Sequence, residues 1–281
     1  MKIILLNAIY HTAKRNIHHI LIAFYFIFSM SLYAVYGNHN FYSMMPDEIT
    51  YAKIVSLWDA NGIRYVYETL NENKTYFFLY LQKLYHANAF STRLLNLLLI
   101  CINTFLLYSL SKNRLAFLYP LIPLFLNSMW LTVETIEAMF LLLGLRYFNN
   151  HMGVAVGLAC LFRPYAVVYS ILMNKRNLGY ILIIGVLASM VLYANDILFV
   201  YMDRLFNYGS GSDGNKYMEP DYVALIMMMP LGLAGYSNWK YSKYAFAGMA
   251  GFIVQLFGHY FIVPYTFFYL AYLSKSKQKL Y

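Results

Sequence analysis

Residues 152–173 read MGVAVGLACLFRPYAVVYSILM. The stretch is apolar throughout except for Arg163-Pro164 at its middle. It is either one membrane span with a charge inside it or two half-length helices, 152–162 and 165–173, meeting near one surface. The flanking charges decide. Positive residues gather in the inner loops of membrane proteins. With the run split, Lys175-Arg176 falls inside, like every other short basic loop. Without the split, that pair faces outward and the bias breaks. Short and broken helices are tolerated only where protein buries them or where they line a polar cavity.

Working outward, further apolar runs lie at 17–37, 90–111, 115–133, 135–148, 179–202, 221–237, 245–262 and 264–274. A bilayer core needs roughly 20 apolar residues per helix, so several of these are short. Counting 152–173 as two, the reading is an all-α polytopic membrane protein with about ten membrane segments, one domain over 1–281. The run at 17–37 follows Lys14-Arg15, as a signal peptide's core would. It is long and ends in no small-x-small cleavage pattern, so it reads as a retained anchor.

Composition agrees. Of 281 residues, 61% are hydrophobic and 12% charged, with mean hydropathy +0.50. A soluble domain carries about 25% charged residues. Tyr (30) and Phe (21) suit rings at membrane interfaces. A disordered chain is excluded by this apolarity, and a disulfide scaffold by having only Cys101 and Cys160, both inside apolar runs. With the N-terminus inside, the inner basic residues are Lys2, Lys14, Arg15, Lys112, Arg114, Arg146, Lys175, Arg176, Lys240, Lys243, Lys275, Lys277 and Lys279. Both termini are therefore expected in the cytoplasm. None of the 12 acids falls in an inner loop, so any chemistry faces outward. The net charge of +9 is mostly anchoring to anionic membrane lipid, and nucleic acid is discarded as a partner.

Two outer loops stand out. The first, 38–89, is too long for a plain connection. Within it, Ile49, Ala52, Val55 and Trp58 recur at three-residue steps, and Ile63, Val66, Tyr67 and Leu70 at i, i+3, i+4, i+7. Both patterns predict amphipathic helices along the membrane surface, with Tyr76 to Tyr85 a third. The second loop, 203–221, carries Gly209, Gly211 and Gly214 and reads as flexible.

Few residues can do chemistry. Pro46-Asp47-Glu48 opens the first surface helix. Proline and acids there are ordinary helix-start chemistry; the functional reading is a general base accepting a proton from an acceptor hydroxyl. Arg163 interrupts an apolar run, where a charge is costly and usually faces a polar cavity. Its planar guanidinium suits a phosphate, and snorkelling to the interface is the competing reading. Snorkelling also competes at Arg93, at the outer end of the second span, and a solvated face at Lys74. Glu134 and Glu137 bracket the turn between the third and fourth spans, and Glu137, three residues into an apolar helix, is expected to have a polar partner; Asp196 lies within a span, one turn from its outer end, and is expected to pair or be hydrated. A divalent metal at Asp47 or Glu48 with His39, His86 or His259 is left open, with no ligand spacing behind it, and no cofactor is assigned. There is no phosphate-binding Gly-rich loop of the nucleotide-hydrolase kind and no His-Glu-x-x-His.

Taken in order, the motifs form a pattern. Asp47-Glu48-Ile-Thr-Tyr51-Ala follows the first span. Next come Lys74-Thr-Tyr-Phe-Phe-Leu-Tyr-Leu and Ala89-Phe-Ser-Thr-Arg93-Leu-Leu. Val133-Glu-Thr-Ile-Glu137 follows the third span, and then Gly153-Val-Ala-Val-Gly157-Leu-Ala-Cys-Leu-Phe-Arg163-Pro. Over residues 15–175 this resembles the membrane-embedded GT-C glycosyltransferases of the protein O-mannosyltransferase and aminoarabinose-transferase type. Thr75-Tyr76 stand where that family has Pro-Pro, and the chain is shorter than most members.

The resemblance implies an enzyme that takes a sugar from a polyprenyl-phosphate donor and inverts its anomeric centre. Asp47 would be the general base and Glu48 would orient it or the acceptor. Arg163, Arg93 and Lys74 would bind the donor's phosphate. Glu137 would orient a cationic partner or a sugar hydroxyl, and Tyr51 would line the substrate site. The Gly-rich loop could close over the donor. The acceptor would be a protein, a lipid or a polysaccharide on the outer face of the inner or plasma membrane. The alternatives are a lipid-linked sugar flippase or other transporter, an outer-face glycan polymerase and a non-catalytic membrane assembly subunit.

Overall fold

A computed structural model of the chain describes residues 46–69, 75–84, 89–120, 133–172, 177–206, 243–255 and 262–278. Every regular element among them is helical, and none is a strand. The expected spans at 17–37 and 221–237, Lys74, the pair Lys175-Arg176 and most of the Gly-rich loop lie outside the described residues.

Helix α1, Pro46–Thr69, is two helices joined at Gly62, where φ is 84° and ψ is 162°. Only glycine occupies that region at low cost. The two predicted surface helices are therefore present, separated at this residue. The buried stripe of the first is Tyr51, Ile54, Val55 and Trp58, and that of the second is Ile63, Val66 and Tyr67. The first stripe departs from the expected 49, 52, 55, 58, because steps of three drift off one face of a helix with 3.6 residues per turn. Ala52 is only half-buried in consequence. Helix α2, Tyr76–Leu84, buries Tyr76, Phe78, Leu79 and Gln82.

Helix α3, Ala89–Ser111, has 23 residues, about 34 Å of helix. Its stretch Leu94–Ser111 is the one segment among the described residues long and apolar enough to cross a membrane alone. A 3-10 turn over Arg114–Leu118 follows. Helix α4, Val133–Tyr147, runs parallel to α3: Asn103 Nδ2 donates to the Thr135 carbonyl at 3.1 Å and Arg146 Nε donates to Ser109 Oγ.

Helix α5, Met152–Phe162, folds back antiparallel on α4 through a 3-10 turn at Asn149–His151. Close approach here rests on Gly144, where an added Cβ would stand 2.6 Å from Met152 Sδ. At Arg163 the backbone becomes extended, with φ −148° and ψ 108°. The split of the apolar run is thus present, but its second half is a 3-10 helix, Pro164–Leu172, rather than an α-helix. A 3-10 helix has three residues per turn, and the burial follows that period: Ala166, Tyr169 and Leu172 are the buried residues.

Helix α6, Leu178–Ala194, runs parallel to α5, and its Ile184 occupies the space beside Gly157. The apolar run 179–202 predicts one span. It is broken at 195–197, and helix α7, Leu198–Phe206, follows. Helices α8, Lys243–Gln255, and α9, Ile262–Gln278, pack together as a hairpin against α4 and the 3-10 helix.

Two cores result. The larger joins α3, α4, α5, α8 and α9 through Leu107, Leu141, Val156, Tyr169, Phe267 and Leu270. The smaller joins the helices of the first long loop to one end of the bundle through Tyr51, Trp58, Phe78, Leu99, Ile136 and Ile197.

Candidate functional site

The end of the bundle roofed by α1 and α2 holds the charged cluster. Because α4 and α5 are antiparallel, the start of one meets the end of the other. Glu134 lies in the first turn of α4 and Arg163 caps the end of α5. Arg163 Nη1 donates to Glu134 Oε1, with the side chains only 13% and 4% exposed. The helix dipole favours an acid at a helix start and a cation at a helix end, so each partner stands where the backbone supports its charge.

The chain break beside them is also filled. Pro164 has no N–H, so α5 cannot continue as an α-helix. Thr75 Oγ1 donates to the freed Phe162 carbonyl at 2.9 Å. A proline at position 75 could not make this bond. The Phe162 ring stacks on Phe140 at 5.7 Å. This contact ties α2, α4 and α5 together at the turn.

Tyr51 is buried at 7% exposure and meets Phe78 edge-on at 5.2 Å. It lies one turn after Asp47 on α1, so the α1 start belongs to the same end of the molecule as Arg163. The Asp47 and Glu48 side chains lie outside the described residues, as does that of Arg93, whose backbone is in the first turns of α3. Lys74 lies outside the described residues.

Glu137, expected to orient a cationic partner or a sugar hydroxyl, makes no hydrogen bond to Arg163. The residue that pairs with Arg163 is Glu134. Glu137 lies one turn deeper, fully buried, and neither carboxylate oxygen has a hydrogen-bond partner among the described residues. The signal for Glu134 was in the sequence: an acid in the first turn of the helix whose hairpin partner ends at Arg163-Pro164.

Asp196, expected near an outer helix end and either paired or hydrated, is both. It stands in the break between α6 and α7, left-handed at φ 55°, with its side chain 81% exposed. Arg64 reaches it from α1 and also pairs with Glu68 at 2.7 Å. On α2, Lys83 pairs with Asp59 at 2.7 Å and covers the Trp58 ring at 4.7 Å. Burial pushes the Tyr67 and Tyr76 hydroxyls above their ordinary pKa, which keeps them protonated and unsuited to act as bases near neutral pH.

The opposite end of the bundle differs in charge. Lys112, Arg114, Arg146 and Lys243 lie there, with Asn113 Nδ2 donating to the Leu273 carbonyl at 3.3 Å. Among the described residues, no group of three or more His, Cys, Asp or Glu is placed to hold a metal ion. No known protein family, no curated protein and no solved structure matches the chain.

Proposed function

We propose that this chain is a polytopic membrane glycosyltransferase. It moves a sugar from a polyprenyl-phosphate donor to an acceptor on the outer face of the inner or plasma membrane, with both termini in the cytoplasm. The observation that carries the reading is the Glu134–Arg163 pair at the break after α5, roofed by the helix that Asp47 opens. An arginine so held presents a planar fork in a fixed orientation, the geometry that suits a phosphate.

The membrane reading draws on two further observations. On α6, Leu182, Ile183, Val186, Leu187, Met190 and Tyr193 are each more than half exposed. An exposed helix apolar on nearly every face is at home in hydrocarbon. The charges of the described residues also segregate, with Glu134, Arg163, Asp196 and Arg64 at one end and Lys112, Arg114 and Arg146 at the other. That is the asymmetry expected across a bilayer.

The proposed reaction is the one that the resemblance implies. Asp47 takes the proton of the acceptor hydroxyl as its oxygen attacks the anomeric carbon. The carbon–oxygen bond to the donor phosphate breaks on the opposite side, and the configuration inverts. Arg163, with Arg93 and Lys74, stabilises the negative charge left on the prenyl phosphate. Glu48 orients Asp47 or the acceptor.

The test is mass spectrometry of surface glycans and lipid-linked sugars from cells with and without the gene. Loss of one sugar from the glycans, with its prenyl-phosphate form accumulating, supports the transferase. Unchanged profiles contradict it.

A further inference from the structure

The two roof helices bring three rings together at a place that the proposed chemistry does not use. Trp58 on α1 lies 5.8 Å from Tyr76 and 6.1 Å from Tyr80 on α2, centroid to centroid. Tyr76 and Tyr80 stack at 6.1 Å with their planes 22° apart. Trp58 and Tyr76 are buried, whereas Tyr80 is 45% exposed. The buried pair therefore holds an exposed ring in place. An ion pair stands beside it. Lys83 Nζ lies 4.7 Å from the centre of the Trp58 ring and 2.7 Å from Asp59 Oδ1, and the Asp59 side chain is 54% exposed. Trp58 neighbours both, so the exposed ring and the ion pair are within reach of one small molecule.

A held ring next to a carboxylate and an ammonium suits a sugar. The C–H groups of a sugar carry the partial positive charge that the face of an aromatic ring attracts. Its hydroxyls can donate to Asp59 and accept from Lys83. A few placed polar groups beside an aromatic surface are what orient a small ligand. A lipid tail would cover the ring but strip water from the ion pair, at a cost. The surroundings are polar as well. The exposed residues of α1 between Tyr51 and Gly62 are Lys53, Ser56, Asp59, Ala60, Asn61 and Gly62, none of them with a large apolar side chain.

We infer that Tyr80, Asp59 and Lys83 form a glycan subsite, and that the acceptor is an oligosaccharide chain rather than a protein or a lipid. The role as acceptor site rests on the sugar-transfer reading, whereas the binding of glycan does not. Asp47 lies on the same helix, eleven residues before Trp58 and about 16 Å along the axis. A chain of several sugar units spans that length.

The experiment is isothermal titration calorimetry of the purified full chain in detergent with hexasaccharides of glucose, of mannose and of N-acetylglucosamine. At least one binds saturably. Tyr80→Ala weakens that binding about tenfold or more, Asp59→Asn weakens it less, and Tyr80→Phe, which keeps the ring, largely retains it. Tyr80 and Asp59 are exposed, so these variants fold. Binding of none of the three hexasaccharides overturns the proposal, as does binding that Tyr80→Ala leaves unchanged. Strong quenching of Trp58 by lipids brominated along their acyl chains, read after Trp130→Phe and Trp239→Phe, would place the rings in hydrocarbon and also overturn it. Transfer from a polyprenyl-phosphate sugar, assayed on the same preparations, keeps the two readings apart. Glycan binding without transfer supports the subsite and counts against the transferase; transfer without glycan binding does the reverse.

Discussion

Arg163 caps the end of α5 and Glu134 opens α4, and the two side chains pair where the antiparallel helices meet. Both are largely shielded from water, so removing one partner strands the other charge. Arg163→Ala is expected to cost about 3–5 kcal/mol of stability. Arg163→Lys keeps the charge but loses the planar fork, and is expected to reduce sugar transfer more than stability. Denaturant unfolding in detergent and transfer assays on the same preparations separate the two effects.

Gly62 is a backbone position rather than a contact. A Cβ there would meet nothing within 4 Å, yet φ is 84°. Gly62→Ala is therefore expected to lose about 1–3 kcal/mol through conformation alone. Circular dichroism should show helix content unchanged while the unfolding midpoint falls. An unchanged midpoint would mean that the turn relaxes freely.

Thr75 satisfies a carbonyl that the broken helix leaves free. Thr75→Val removes the donor at nearly constant volume and is expected to cost about 1 kcal/mol. Thr75→Ser keeps the hydroxyl and should lose less. The order of the two midpoints in thermal unfolding checks the assignment.

The Arg64–Asp196 pair is exposed on both sides, at 54% and 81%. Such pairs contribute little, and salt screens them. Asp196 is left-handed at φ 55°, so Asp196→Gly loses the pair while relieving the backbone. Its stability should match wild type to within about 0.5 kcal/mol, whereas Asp196→Val, β-branched at a positive φ, should be clearly destabilised. Unfolding at low and high salt distinguishes the terms.

Much of this fold was legible because periodicity reports burial. The break at Arg163-Pro164 follows from proline chemistry, and the two helices of α1 from apolar spacing on either side of Gly62. The 3-10 character after Pro164 was not legible, since an apolar run of Ala, Val, Tyr and Ile has no signature that separates it from an α-helix. The break at Asp196 was hidden for a similar reason: the run around it stays apolar, and one acid expected to pair or be hydrated near a helix end does not by itself mark a break. The pairing of Arg163 with Glu134 rather than Glu137 depends on where two helix ends meet, which is a tertiary relationship. The packing of the Tyr51 ring against Phe78 is likewise a tertiary relationship that spacing alone does not give.

The most direct test of the account is sugar transfer from a radiolabelled polyprenyl-phosphate sugar by membranes containing wild-type chain or Asp47→Asn at equal, folded amounts. The account predicts transfer by the wild type and its loss in Asp47→Asn, with donor left unconsumed. Transfer by Asp47→Asn at the wild-type rate would contradict it.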